Sequence, residues 1–178
     1  MNLLPAEDAH LQLLTRWRGA MDLVGPGPLD PHFIDAVEAV EGLTVSGRWA
    51  DLGSGAGFPG ISLAARHPDA EVLLVESRQK RAVFLNQVLA AAELKNAAVL
   101  RQRVETLEVG LDGVISRAFK PPLSYLEDAE RLLRPGGQAV VMLGDGVTVA
   151  LPAAWEAVER HRYRVPDGWR VRLVVRLR

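Results

Sequence analysis

An α/β fold with a mainly parallel sheet follows from three features of this 178-residue chain. Short apolar runs alternate with helical patterns along most of its length. A glycine-rich turn, Asp51-Leu-Gly-Ser-Gly-Ala-Gly-Phe-Pro-Gly60, joins the first run to the first of the intervening helices. The second run closes on an acid, Glu76, 23 residues after Gly53. Strands alternating with helices make parallel sheets with right-handed crossovers, and ligands collect at the carboxyl ends of such strands. The expected architecture is Rossmann-like: seven strands, mainly parallel with an antiparallel strand near the C-terminus, helices on both faces, and a short N-terminal helical cap. At 48% hydrophobic content the length suits one packed domain, with residues 1–45 as the cap and 46–178 as the core.

The elements follow in order. Residues 1–45 read as helical, punctuated by Pro28 to Pro31. Apolar runs at 48–52, 71–76, 97–101, 112–116 and 138–143 read as strands. Helical patterns occupy 59–66, 78–94 and 122–133. In the longest, Val83, Leu85, Val88 and Leu89 recur at helical spacing while Lys80 and Arg81 take the polar side. Leu132-Leu-Arg-Pro-Gly-Gly137 stops the third with Pro and Gly and feeds the next strand. A helix at about 152–160 and two closing strands, about 161–165 and 170–177, complete the reading.

Composition narrows the chemistry. The formal net charge is −1, so global charge argues neither for nor against a nucleic-acid partner. The absence of cysteine excludes disulfides, thiolate metal sites and Cys nucleophiles. The acidic start, Met-Asn-Leu-Leu-Pro-Ala-Glu-Asp, has no basic region of a signal peptide, and no apolar run approaches membrane-spanning length. A cytoplasmic protein without membrane or metal partners is expected. Charge is unevenly spread: residues 1–50 hold seven acids and three arginines, whereas the last twenty hold seven arginines against Glu159 and Asp167. Arg pairs bidentately with phosphate, which makes Arg162 and Arg164 candidate RNA contacts. In Arg170-Val-Arg172-Leu the alternation reads more simply as an outward strand face.

The glycine turn can be read in two registers. Gly55-x-Gly57-x-x-Gly60 satisfies the dinucleotide fingerprint literally. Asp51-x-Gly53-x-Gly55-x-Gly57 is similar to the first motif of S-adenosylmethionine-dependent methyltransferases. The strand run ends at Leu52, so Gly53 is the first turn glycine and Gly55 comes too late for the dinucleotide register. An acid before the turn also suits a ligand that carries an amino group. Glu76 is placed to accept the hydroxyls of a ribose. A backbone N–H at Val104 or Glu105, just after the third strand, is placed to read an adenine edge. Arg117, in Ser116-Arg117-Ala118, ends the fourth strand beside the expected pocket.

Together these residues carry a resemblance. Asp51 to Gly60, Glu76-Ser-x-x-Lys80-Arg81-x-x-Phe84-Leu85, Arg103-Val104-Glu105 and Ser116-Arg117-Ala118 are similar to the bacterial 16S ribosomal RNA guanine-N7 methyltransferases, the glucose-inhibited division protein B family. Gly-Phe-Pro-Gly and Ser-Arg-Ala are its specific elements. Upstream, Arg16-Trp17 and His32-Phe33-Ile34-Asp35 resemble that family's Lys-Trp-Asn and His-x-x-Asp-Ser pieces. The resemblance implies S-adenosyl-L-methionine as cofactor, ribosomal RNA or the small ribosomal subunit as partner, and cofactor contacts from Gly53, Phe58, Val104, Glu105 and Arg117. Three departures stand out: Asp22-Leu23-Val24 in place of Asn-Leu-Thr, Asp35-Ala36 in place of Asp-Ser, and Gly144-Asp145-Gly146 where a Lys-Gly pair is usual. Lys120 is the candidate to replace the missing cation.

Guanine N7 is already a lone-pair nucleophile, so its methylation requires positioning rather than a general base. Arg117 is the candidate positioning residue. A methyltransferase of another substrate, small molecule or protein, and a catalytically silent cofactor-binding paralogue are the other readings.

Overall fold

The computed structural model describes residues 2–178. The cap consists of α1 (Pro5–Trp17) and α2 (Asp30–Val40). There follow β1 (Arg48–Leu52), α3 (Gly60–Arg66), β2 (Glu71–Val75), α4 (Gln79–Ala91), β3 (Ala97–Leu100), β4 (Leu111–Ser116), α5 (Pro122–Leu132), β5 (Leu133–Gly144), β6 (Trp155–Val165) and β7 (Gly168–Leu177). Their order in the single seven-stranded sheet is β3-β2-β1-β4-β5-β7-β6. Strands β1 to β5 run parallel, and β7 is antiparallel to both β5 and β6. The strand order reverses between β1 and β4, and that switch point opens a crevice at the carboxyl ends.

Alternation along each strand sends neighbouring side chains to opposite faces. Trp49, Val72, Leu74, Ile115, Val140 and Val174 face α1 to α4, packing on Leu14, Phe33, Ile61 and Phe84. Ala50, Val75, Val114, Ala139, Val141, Leu173 and Val175 face α5, packing on Tyr125, Leu126, Ala129 and Leu132. Gly113 is required beside Trp49, because a Cβ there would run into the indole.

The cap is fastened by buried charge. Pro5 sits in the first turn of α1, and Glu7 accepts the Leu4 N–H at 2.9 Å. Glu7 is fully buried and takes both arms of Arg66, at the end of α3, at 2.9 and 2.8 Å. Arg172 of β7 donates to the carbonyls of Glu38 and Glu41 at the end of α2, and to the Glu159 carboxylate. Its guanidinium therefore supplies donors to a helix terminus that otherwise lacks them.

Two expectations are corrected. Residues 152–160 are not a helix: β6 begins at Trp155 and pairs with β7 along its whole length, from Trp155↔Leu177 to Val165↔Gly168. A bulge between Ala157 and Glu159 breaks the period of two and pushes Val158 into solvent, which disguised the strand as a helical pattern. Arg172 does not lie on an outward face, since it is 4% exposed beneath α2. Strand β5 also starts earlier than expected, because Leu133 pairs with Leu111 before a register shift leads into the Gly136 turn.

Candidate active site at the strand ends

Leu52 ends β1, and the chain must then leave the sheet and enter α3 within a few residues. Gly53, Gly55 and Gly57 all take positive φ (74°, 56° and 97°), which L side chains rarely adopt. The Gly53 and Ser54 N–H groups both donate to the Val75 carbonyl of β2 at 2.9 Å, so the turn lies against the next strand. A Cβ on Gly53 would enter the Phe119 ring.

Glu76 sits at the end of β2 and is 5% exposed. One carboxylate oxygen accepts the Gly55 N–H at 3.0 Å and the other the Arg78 N–H at 2.7 Å. Each oxygen keeps lone pairs for a further donor. The acid thus ties the glycine turn to the start of α4.

A cavity of about 430 Å³ opens here, lined by Gly53, Val75, Glu76, Val104, Ala118 and Phe119, with Arg78 and Arg103 at its edge. That volume is within the usual range of small-ligand sites. Gly53, Glu76, Val104 and Glu105, expected at the site, line it together. Val104 and Glu105 form a 3₁₀ turn whose carbonyls are clamped from α5: Arg131 donates to Val104 at 2.7 Å and to Leu107 at 2.6 Å. Ala118 carries φ 52°, a left-handed conformation unusual for a residue with a Cβ, at the turn beside the cavity.

Asp51, Gly55, Gly57, Phe58 and Arg117, also expected at the site, do not line this cavity. Alternation along β1 sends the Asp51 side chain to the helix-covered face, where it is fully buried and accepts the Gly60 N–H at 3.0 Å. Its other oxygen has no hydrogen-bond partner, and burial raises its pKa to about 7. Gly57 leaves room for His10 of α1, whose ring donates from Nε2 to the Ala56 carbonyl at 2.7 Å. Burial lowers the His10 pKa to about 4 and keeps the imidazole neutral, with Nδ1 unpartnered. Phe58 packs against His10, Phe33 and His32.

Arg117 leaves the end of β4 and lies over the Phe58 ring, 4.6 Å from its centroid. It reaches Asp35 of α2 at 3.4 Å, and Asp35 also accepts the Tyr163 hydroxyl of β6 at 2.8 Å. Lys120 is held by Glu105 at 2.8 Å and Asp128 at 2.6 Å, so both pairs must be given up before it meets a phosphate. Arg162 forks onto Asp145 at 2.9 and 2.8 Å and lies 4.1 Å from the Trp169 centroid, with Arg164 at 5.9 Å from the same ring. The acid in Gly144-Asp145-Gly146 is therefore neutralised from β6. Among the described residues no cluster of His, Asp and Glu is arranged to hold a metal ion, and no helix is long and apolar enough to cross a membrane.

Sequence reasoning missed Phe119, His10, Asp35 with Tyr163, and Arg131. His10 had a signal, because it shares a helical stripe with the buried Glu7 and Leu14. Phe119 adjoins the Ser-Arg-Ala element. The Asp35–Tyr163 contact, 128 residues apart, left none.

Known proteins resemble this chain in sequence and in fold. The family model GidB, rRNA small subunit methyltransferase G, matches residues 7–164. The ribosomal RNA small subunit methyltransferase G of Xanthomonas oryzae pv. oryzae is 37% identical over 94% of this chain and 84% of its own length. That of Bradyrhizobium diazoefficiens is 34% identical over 93% of this chain and 69% of its own length. Among solved structures, the O-methyltransferase from Bacillus cereus in complex with SAH superimposes with a TM-score of 0.63 at 16% identity, covering 96% of this chain and 91% of that one. At that identity the likeness concerns the fold.

Proposed function

The chain belongs to the rRNA small subunit methyltransferase G family, and from that premise we propose that it methylates guanine N7 in small-subunit ribosomal RNA. The methyl donor is S-adenosyl-L-methionine. The observation that carries the reading is the cavity at the β1–β4 switch point, bounded by bare glycine backbone, the Glu76 carboxylate and Phe119. Its donor set fits that cofactor. Glu76 presents acceptor oxygens for two ribose hydroxyls, and the 3₁₀ turn at Val104–Glu105 offers backbone N–H groups free of intrahelical partners. When bound, the cofactor supplies an electrophilic methyl on a sulfonium.

The chain's own residues then have to orient two partners. Asp51 acts from behind the turn, fixing Gly60 and hence the glycine conformation. Glu76 locks Gly55 to the start of α4. Arg117, braced by Asp35 and Phe58 and next in the chain to Ala118 of the cavity wall, has donors suited to guanine O6 or an RNA phosphate. N7 attacks with a lone pair it already has, so no group here must remove a proton first. The work is alignment, which accounts for a site with no Cys or Asp–His nucleophile machinery.

Incubating the protein with tritiated S-adenosylmethionine and unmodified small ribosomal subunits should label the RNA, with the label digesting to 7-methylguanosine. Arg117→Ala should lower the rate strongly. Cofactor binding without any RNA label would refute the reading and favour another acceptor.

A further inference from the structure

We propose that the RNA backbone is held on the β2–β3 side of the cofactor cavity, by Arg78, Arg101 and Arg103 with the N-terminus of α4, and not by the arginine-rich C-terminal strands. This rests on the reading of the chain as an RNA methyltransferase and says which surface carries the phosphates.

Four of the seven C-terminal arginines are paired with acids within the fold, while Arg160, Arg164 and Arg178 are exposed and form no ion pair within 4.0 Å among the described residues. Arg162 pairs with Asp145 and Arg170 with Asp167, each at 2.8 Å. Arg172 is buried on Glu159 and the end of α2, and Arg176 faces Glu156 at 3.5 Å. At the opposite edge of the sheet the unpaired arginines instead border a single groove. Arg78, Arg101 and Arg103 are exposed, and among the described residues none forms an ion pair within 4.0 Å. The two acids nearby are engaged: Glu76 is turned inward onto two backbone N–H groups, and Glu105, which also feels Arg103, is bonded to Lys120.

The backbone adds to the same field. Helix α4 is thirteen residues long and begins here without a side-chain cap and without an acid in its first turn, which carries Lys80 and Arg81 instead. The Glu76 carboxylate takes the Arg78 N–H at 2.7 Å, and the remaining free N–H groups and the dipole favour a further anion. Arg78, Arg101 and Arg103 border one open groove with Ser77 and Gln102, whose hydroxyl and amide are further donors. The groove is continuous with the cofactor cavity, since Ser77, Arg78, Gln102 and Arg103 line both.

Three guanidinium forks bordering one groove, none of them ion-paired within 4.0 Å, match a ligand that carries a repeated anion. An RNA strand does so; a mononucleotide occupies one fork. A strand laid here passes the cavity mouth while its target base reaches towards Arg117 on the other side of the switch point.

Arg101 touches the groove and not the cavity, which makes it the decisive substitution. Binding of a fluorescein-labelled small-subunit rRNA fragment is titrated at several salt concentrations, with S-adenosylmethionine affinity measured in parallel by calorimetry. For Arg101→Gln the slope of log affinity against log salt should fall by about 1, and for Arg78→Gln/Arg101→Gln by about 2. Cofactor affinity of Arg101→Gln should stay within twofold of the parent. The control Arg170→Gln should leave the slope unchanged. If the slope falls in the control and not in the Arg101 variants, the phosphates lie on the C-terminal strands and the proposal is wrong. If naked RNA binds the variants normally but intact small subunits bind them poorly, the groove holds an acidic protein surface, which also overturns it. A parent protein that neither binds nor labels RNA would instead refute the functional reading itself.

Discussion

Two buried groups beneath the glycine turn should cancel in the pH dependence of stability, and single substitutions should expose each. Burial raises the Asp51 pKa from 3.8 to about 7 and lowers that of His10 from 6.5 to about 4. Between about pH 4 and 6.5 the unfolded chain carries a proton on His10 and none on Asp51, while the folded chain carries one on Asp51 and none on His10. Both states then bind the same number of protons at these two sites, so together they add no slope. Asp51→Asn leaves His10 alone, which the unfolded chain protonates below pH 6.5 while the folded chain does not, so stability falls as pH falls. Stability of this variant should rise by about 3 kcal/mol from pH 4 to 6.5, at about 1.4 kcal/mol per pH unit. His10→Gln leaves Asp51, which the unfolded chain ionises above pH 3.8 while burial keeps it protonated in the folded chain up to about pH 7. Stability should fall by about 4 kcal/mol from pH 4 to 7. The double variant should be flat again relative to the parent. Urea unfolding of the cofactor-free protein at half-unit pH steps measures all four profiles. Parallel profiles, displaced by a constant amount, would refute the reasoning, because they would mean that neither group changes its proton affinity on folding.

Other perturbations test the remaining supports of the site. Gly53→Ala places a Cβ into the Phe119 ring at φ 74°, and cofactor affinity measured by calorimetry should fall at least tenfold. Tyr163→Phe deletes the 2.8 Å bond to Asp35 and leaves that carboxylate with only its 3.4 Å contact to Arg117. It should slow methyl transfer with cofactor affinity unchanged, and an unchanged rate would show that Asp35 does not brace Arg117. Glu7→Gln strips the buried partner from Arg66 and should cost about 3–5 kcal/mol in denaturant unfolding, far more than Glu71→Gln at the exposed Arg48 pair.

Strands β1, β2 and β4 were legible because a parallel strand buried on both faces is a continuous apolar run, as in Val72-Leu-Leu-Val75. The glycine turn and Glu76 were legible for a similar reason: backbone that must take positive φ against a neighbouring strand leaves few residue choices. Strand β6 was not, since its bulge removes the alternation and its charged residues face solvent on a sheet edge. Arg172 was misread because an Arg between two apolar residues looks outward unless a helix terminus lies over it. That terminus belongs to α2, more than 130 residues earlier, and no local pattern reports so distant a pairing.

These misreadings share one physical origin, and it bears on the site. Helix α2 contributes Asp35 to the Arg117 cluster, and besides its packing on α3 it is held by the last two strands. Tyr163 of β6 bonds Asp35 from one side, and Arg172 of β7 holds the carbonyls at the helix end. The turn between β6 and β7 lies at the carboxyl end of the sheet, because Arg170 pairs with Gly144 at the end of β5. On the function proposed above, the acceptor side of the pocket is assembled from α2 and the last two strands against the β4 end, whereas the cofactor side is built from consecutive strand ends between Gly53 and Phe119. Local sequence encodes a cradle made from neighbouring turns. A roof made by docking distant segments is encoded only in the sum of its contacts, which is why the cofactor was easier to read from this chain than the means of holding its acceptor.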